Sequence, residues 1–305
     1  YRVMADYYSK SELFMEPKTQ QYGNHMVMTN VHKSVKTKHI SIDTKFRDDY
    51  DYTQPANLQI VLPEIVNDVH SMRVTNMEIP MSFFNISANL GNTYFKITNV
   101  ANTEIIKIDD NNYDAASLQT EITAKLAAST HGKQLVFTIN NMGKTNISTT
   151  PDITIDFDVD KSGNSDKFNF KHKLGWLLGF RKTSYDIVNG TNTVSECILD
   201  LSGPRYLYLA IDEFSKGNQN SFVSPLSSSL INKNIIARIS LDKSQYGYGS
   251  ILPANTYNGL LATDKRCYTG KVNLQKLQIQ LLNETGIPMN LNGYDFSFCL
   301  EAYCE

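Results

Sequence analysis

The sequence has no run of apolar residues long enough to cross a membrane, and its first residues, YRVMADYYSK, lack the apolar core of a signal peptide. It also has little net charge, because 29 Lys and Arg residues against 31 Asp and Glu residues leave a formal charge of −2. No global electrostatic field therefore draws the chain to nucleic acid or to an anionic membrane. We expect neither a membrane span nor a nucleic-acid partner.

Cysteine is also scarce, with four residues at Cys197, Cys267, Cys299 and Cys304. None forms a C-x-x-C pair, which argues against a structural zinc site or a redox motif. We interpret them as small buried hydrophobic residues in a reducing compartment. A disulfide in an assembled extracellular particle is the alternative.

Enzyme motifs are missing as well. The six histidines are widely spread, without H-x-x-x-H or H-E-x-x-H spacing, and no G-x-S-x-G elbow occurs. Distant residues could still meet in space as a triad. We predict no catalytic residue, no cofactor site and no metal site.

One acidic segment comes closest to a metal motif. Asp158, Asp160 and Asp166 surround the turn residue Gly163, as at the opening of a calcium loop. However, Asn169 stands where the closing glutamate belongs, and the pattern predicts strands rather than helices on either side. We interpret the segment as a polar turn between strands.

Alternating apolar and polar residues predict a strand-rich chain from Lys38 onward, beginning at Ile40 and Ile42. Pro63 is expected to stop pairing after the second strand. The predicted strands after the first are residues 58–62, 69–81, 94–97, 105–108, 135–139, 153–159, 197–201, 205–211, 235–241, 272–282 and 294–303.

One helix interrupts the strands. Asp114 can cap it, and Leu118, Ile122 and Leu126 recur on one face at helical spacing. Residues 174–180 are interpreted as a short helical turn that seats Trp176 in the core. Residues 1–36 show no sustained period, and 32–39 are locally basic. We therefore predict an extended N-terminal arm over 1–39 and a single domain over 40–305.

Two long loops, 215–233 and 243–265, are the best candidates for contact surfaces or flexible segments. The second contains Tyr246-Gly247-Tyr248-Gly249, in which tyrosines offer stiff amphipathic area. In the segment FRDDYDY at 46–52, Asp48 and Asp49 diverge in direction and do not form a natural acid/base pair. We expect Arg47 and these aspartates to form a network at an interface or a strand end.

Two antiparallel sheets packed face to face would bury the alternating faces. The pattern alone fits either a jelly roll or an immunoglobulin-like sandwich, although no Cys…Trp…Cys frame supports the latter. The more specific signal is an ordered series of segments: TKFRD at 44–48, MEIP at 77–80, the helix, LGWLLGFR at 174–181, GPRYLYL at 203–209, NIIARISL at 234–241 and LQKLQIQLL at 274–282.

Over roughly residues 40–303, this series resembles the single jelly-roll minor capsid and penton-type proteins of nucleocytoplasmic large DNA viruses. The resemblance implies an all-β, double-sheet jelly-roll sandwich with one inserted helix, long loops and an extended N-terminal arm. It implies a structural virion protein, either a cement between capsomers or a vertex subunit. It implies no enzyme activity and no small-molecule substrate.

The partners that the resemblance implies are the major capsid protein and other minor capsid proteins, with a homopentamer in the vertex role. The implied location is the virion capsid, assembled in the host cell cytoplasm. The alternative function is a carbohydrate-binding jelly roll, lectin-like or fibre-like, marked by an aromatic platform in a shallow groove with calcium at Asp158–Asp166. A jelly-roll hydrolase or cupin is disfavoured because the histidines are scattered.

Overall fold

The computed structural model describes residues 19–22, 26–29, 34–100, 102–214 and 234–305. The strands of the described residues are β1 (Thr19–Tyr22), β2 (Met26–Thr29), β3 (Lys36–Asp43), β4 (Asn57–Pro80), β5 (Tyr94–Asn99), β6 (Asn102–Lys107), β7 (Leu135–Ile139), β8 (Thr145–Thr149), β9 (Ile153–Asp156), β10 (Ser184–Ile187), β11 (Asn192–Val194), β12 (Tyr206–Asp212), β13 (Ile235–Ser240), β14 (Ile251–Asn255), β15 (Leu261–Thr263), β16 (Arg266–Leu282) and β17 (Ser297–Cys304). The α-helices are α1 (Ala115–Ala128) and the single turn α2 (Leu174–Leu177), and 3-10 turns lie at Thr44–Phe46, Ala88–Leu90, Gly132–Gln134 and Lys167–His172.

The main sheet is antiparallel and is organised around β4 and β16. Its strand order is β15-β13-β12-β16-β4-β17-β3, and β14 also pairs with β4. One edge of β4 pairs first with β16 and then with β14, while its other edge pairs with β17. The prediction of an all-β fold with one inserted helix is confirmed, since curled antiparallel sheets make up most of the described structure.

The prediction that Pro63 ends a strand is wrong, because β4 runs through it without a break. Pro63 is exposed and lies beside a register shift, where Leu274 pairs with Val66 but Lys276 pairs with Val61. A bulge of this kind leaves ladder positions unpaired, so a residue without an N–H group can be accommodated. One long strand thereby replaces the two predicted strands.

A second bulge explains why strict alternation fails further along β4. Val74 and Met77 are both fully buried although three positions separate them. Leu300 pairs with Val74 and Cys299 with Asn76, so Thr75 is the extra residue. Because an extra residue reverses the side-chain parity, both apolar side chains reach the core of the main sheet.

Residues 86–187 form a second apolar core. In the sequence they lie between the residues that build the first and the last strands of the main sheet. Two small sheets, with strand orders β10-β9-β5-β6 and β11-β8-β7, contribute to it together with α1. Asp114 caps α1 through a capping box with Ser117, and Leu118, Ile122 and Leu126 are its buried residues, as predicted.

Aromatic packing fills the centre of this second core. Phe157 stacks on Phe180 with ring centroids 4.9 Å apart. A Cβ atom on Gly175 would lie 2.4 Å from Phe157, so the turn α2 can approach this ring only with glycine there. Trp176 was predicted to fill the core, but it is only half-buried and lies 4.0 Å beneath the Arg181 guanidinium.

The prediction of a strand over 197–201 is also wrong. Its amides donate singly to carbonyls of separate turns rather than to one neighbouring strand, including Gly179 for Cys197 and Gly143 for Leu199. It follows the surface of the second core back to the main sheet. The predicted arm over 1–39 lies partly outside the described residues. Among those that are described, β1 and β2 pair with each other in antiparallel orientation.

Asn85 joins the two ends of the insertion that carries the second core. Its Nδ2 donates to the Tyr113 and Leu201 carbonyl oxygens at 2.8 and 2.9 Å. Its Oδ1 accepts from the Tyr113 N–H at 2.9 Å. Asn85 is buried, so these bonds form out of water, where an unpaired polar group is costly. The side chain therefore fixes where the chain leaves the main sheet and where it returns.

Arg266 joins two other distant points. Its guanidinium donates to the Ile211 and Asn234 carbonyl oxygens, each at 2.6 Å, and to Glu213 at 2.8 Å. Both side chains of the Arg266–Glu213 ion pair are fully buried. Since residues 211–213 and 234 flank the segment 215–233, Arg266 fixes the two positions from which that segment departs.

We predict that Asn85→Ala lowers the free energy of unfolding by about 3 kcal/mol, because it leaves buried carbonyl and amide groups unpaired. Urea denaturation of the full chain measures this change. Asn189→Ala is the control, since Asn189 is exposed, and it should change stability by less than about 0.5 kcal/mol. Equal effects of the two substitutions would contradict the role of Asn85.

We predict that Arg266→Met destabilises the fold by about 3–5 kcal/mol, because the buried Glu213 carboxylate would lose the opposite charge of Arg266. The double variant Arg266→Met, Glu213→Gln should recover a large part of that loss, since the uncompensated charge is gone. Chemical denaturation of both variants measures the difference. A double variant no more stable than the single one would show that charge is not the cause.

Candidate interaction surface

The loop that contains Tyr248 lies at one end of the main sheet, between two clefts. Both clefts are lined in part by Met81 and Tyr248, so they form one continuous surface. Tyr248 is 56% exposed, and its ring stacks on Phe84 with centroids 6.0 Å apart. Of the two tyrosines predicted to offer contact area, Tyr248 is exposed, whereas Tyr246 is half-buried and packs against the core of the main sheet. We call the cleft on the Tyr294 side the acidic cleft and the other one the Lys243 cleft.

The acidic cleft has a volume of about 310 Å³. Ser297 pairs with Asp43 on β3 and with Glu78 on β4, so the three residues form a row across three strands. Ser297 Oγ donates to Glu78 at 3.0 Å, and Asp43 accepts from the Lys45 N–H at 2.9 Å. The strand register therefore places two carboxylates on one side of this cleft.

A network of polar groups supports the wall of the acidic cleft. Asp295 accepts hydrogen bonds from Arg47, from Tyr50 Oη at 2.9 Å and from Thr44 Oγ1 at 3.0 Å. The Arg47 guanidinium also lies 3.8 Å from the centroid of the Tyr50 ring. Both members of the Arg47–Asp295 pair are largely buried. The predicted network around Arg47 is therefore present, but its acid is Asp295 rather than Asp48 or Asp49.

Exposed aromatic and aliphatic side chains surround this end of the sheet. Tyr294 is 62% exposed, Phe46 is 80% exposed and Ile251 is 64% exposed. Tyr294 and Ile251 line the acidic cleft together with Tyr248. Tyrosine combines a large apolar ring with a polar tip, which suits a surface that is wet before binding and dry afterwards.

The Lys243 cleft has a volume of about 240 Å³ and lies where the insertion joins the main sheet. Lys243 Nζ donates to the carbonyl oxygen of Ser202 and lies 5.8 Å from the Phe83 ring centroid. Burial lowers the pKa of Lys243 to about 8, against attraction from Glu284 and Asp200. The residue thus stays mostly protonated at neutral pH.

The acidic segment at 158–166 has other partners. Asp158 is buried and accepts from Ser165 Oγ at 2.5 Å, Asp160 accepts from the N–H groups of its own turn, and Asp166 pairs with Lys173 at 3.0 Å. In the described part of the chain, no group of three or more His, Cys, Asp or Glu side chains is placed to hold a metal ion. The segment is a polar turn, with Val159 and Ser165 forming a bridge across it.

The four cysteines are free thiols. Cys304 is buried, Cys197 and Cys299 are half-buried, and Cys267 is exposed, so the prediction that all four are buried is wrong for Cys267. Burial raises the pKa of the Cys304 thiol, which makes it less reactive. No helix over the described ranges has the length and apolarity to span a membrane.

The sequence showed the loop with Tyr248 and the segment with Arg47, but not Asp295, Glu78 or Lys243. Asp295 lies 248 residues from Arg47, and no local spacing connects them. Glu78 and Asp43 become neighbours only through the register with Ser297. The alternation within β4 and β17 indicates which side chains share a face of each strand. Only the order and register of the strands show that Glu78 and Asp43 are neighbours.

We predict that Asp295→Ala destabilises the chain by about 2–4 kcal/mol, because Arg47 is largely buried and would lose its carboxylate. Cleavage by trypsin within residues 44–53 should accelerate, since this segment is tied to Asp295. Asp51→Ala, at an exposed carboxylate in the same segment, is the matched control. Unchanged proteolysis of the Asp295 variant would contradict the anchoring role.

No protein-family model and no curated protein match this chain. Among solved structures, the mavirus penton protein is similar, with a TM-score of 0.41 and 12% sequence identity over 88% of this chain and 99% of that chain. A chain of the Sputnik virophage structure gives a TM-score of 0.40 and 12% identity, over 88% of this chain and 98% of that chain.

Proposed function

We propose that the chain is a structural virion protein, a minor capsid or penton component of a large icosahedral DNA virus shell. It acts through protein–protein contacts and needs no catalytic residue. Its partners are the major capsid protein and other minor capsid proteins, and in the vertex role also copies of itself in a homopentamer. Its location is the capsid, assembled in the host cell cytoplasm.

The observation that carries this proposal is the surface centred on Tyr248. Two clefts meet there, and exposed apolar and aromatic side chains stand beside them. Such side chains are costly to leave in water but favour the centre of a protein interface. The backbone beneath this surface is rigid, because the strands of the main sheet and the largely buried Arg47–Asp295 ion pair hold it in place. A stiff surface loses little conformational entropy when a partner binds.

A carbohydrate-binding function is the second candidate, and the acidic cleft is the observation that favours it. Tyr248 and Tyr294 could stack on sugar rings, while Asp43 and Glu78 could accept hydrogen bonds from hydroxyl groups. The calcium-dependent form of this candidate gains no support, because Asp166 is paired with Lys173. A glycan array probed with the full chain would distinguish the two functions.

We predict that the double variant Tyr248→Ala, Tyr294→Ala reduces incorporation into virus particles by about tenfold, since central aromatic residues dominate interface energies. The experiment compares tagged wild-type and variant chains in purified particles by quantitative mass spectrometry. Circular dichroism checks that the variant is folded.

Tyr257→Ala is the matched control, because Tyr257 is fully exposed and lines neither cleft. It should be incorporated like the wild type. A wild-type chain that is absent from purified particles would refute the proposed function itself. Normal incorporation of the double variant would refute only the role of the surface.

A further inference from the structure

Lys243 stands in an unusual position for a lysine. Most lysines carry their ammonium group into water, but this one is half-buried where the insertion meets the main sheet. Its ammonium group lies near the Phe83 ring and donates a hydrogen bond to the carbonyl oxygen of Ser202. A Cβ atom on Gly203 would lie 3.0 Å from its Nζ, so glycine leaves room for the ammonium group.

The charge of Lys243 is not compensated locally. It forms no ion pair with any described residue, and none of the described residues that line its cleft is acidic. Asp200 and Glu284 attract it only from a distance, and both are engaged elsewhere. Asp200 pairs with Arg205 at 3.2 Å, and Glu284 accepts from the Arg205 N–H at 2.5 Å.

Several other polar groups that line the cleft already have hydrogen-bond partners. Asn85 uses its side chain on Tyr113 and Leu201, as described above. Ser202 Oγ donates to Asp200 at 2.5 Å. The Asn112 side chain is exposed at the cleft and can donate to a ligand. The cleft therefore offers an ammonium group and an amide around an open volume, with apolar walls that strengthen electrostatic attraction.

We propose that the Lys243 cleft binds an oxyanion, either a carboxylate or a phosphate group. A cation that is partly removed from water gains most from an anion that can accept the hydrogen bonds it has left. The volume of about 240 Å³ admits a carboxylate-bearing side chain or a phosphate group. This inference does not depend on the proposed function, because it rests on the charge and shape of one cleft.

The first test measures how fast each lysine of the folded full chain is acetylated by an N-hydroxysuccinimide ester, with peptide mass spectrometry as the readout. Acetate or inorganic phosphate is added at constant ionic strength against chloride. We expect the anion to slow acetylation of Lys243 by about tenfold, because it holds the amine protonated and covers it. Lys161, which is exposed, should react at an unchanged rate.

The two anions separate the two sources of the ligand chemistry. Protection by acetate alone identifies a carboxylate site, protection by phosphate alone identifies a phosphate site, and protection by both identifies a general oxyanion site. Each of these outcomes supports the proposal. If neither anion protects Lys243, or if Lys161 is protected equally, the proposal is wrong.

Variants give a second, independent test by thermal unfolding with and without the same anions. The wild type and Lys243→Arg should both be stabilised by the anion, because both keep a cation in the cleft. Lys243→Met should lose this stabilisation, and Lys161→Met should keep it. An anion-dependent shift that persists in Lys243→Met would show that the anion binds elsewhere and would overturn the proposal.

Discussion

The hydrogen bonds of Asn85 are the constraint on which the arrangement of the chain depends. The main sheet is built from residues at both ends of the chain, while the second core is built from the residues between them. An insertion of this kind can pack in one way only if its two ends are held at a fixed distance. Asn85 does this with a single amide, because it stands at the start of the insertion and donates to Leu201 at its end. The same amide also donates to and accepts from Tyr113 within the insertion. Both clefts lie beside this junction or along the strand that leads to it.

A buried polar side chain also joins distant parts of the backbone on either side of the segment 215–233. Arg266 holds the backbone at Ile211 and Asn234, and its charge is balanced by Glu213. A fully buried ion pair contributes less to stability than its distance suggests, because both charges lose their hydration. Its effect here is geometric, since it specifies where the segment 215–233 begins and ends. Polar groups thus decide the path of the chain, while the apolar cores provide the driving force for folding.

The sequence predicted the elements with strong periodicity and missed those that depend on pairing. The helix α1 followed directly from Leu118, Ile122 and Leu126 with the cap at Asp114, all of which are local. The continuity of β4 through Pro63 was not predictable, because it depends on a bulge in β4 where its pairing with β16 shifts register. Strands β14 and β15 were missed inside a predicted loop, since Pro253 and the Asn-Gly pair are typical of turns. At the candidate surface, the sequence predicted the loop with Tyr248. It did not predict the neighbouring carboxylates Asp43 and Glu78, because they lie on strands that are distant from this loop in the sequence.

The two clefts differ in charge although they share Met81 and Tyr248, and this difference has a structural origin. On one side, the register of three adjacent strands aligns Asp43, Ser297 and Glu78. On the other side, the return of the insertion leaves Lys243 against Ser202, and no carboxylate lies among the described residues that line its cleft. The exposed ring of Tyr248 separates the two, so a ligand that covers it meets opposite charges on its two flanks. A surface with this pattern distinguishes the orientation of its partner, because reversing the partner would place like charges together. The asymmetry of charge itself follows from strand register and from one buried junction.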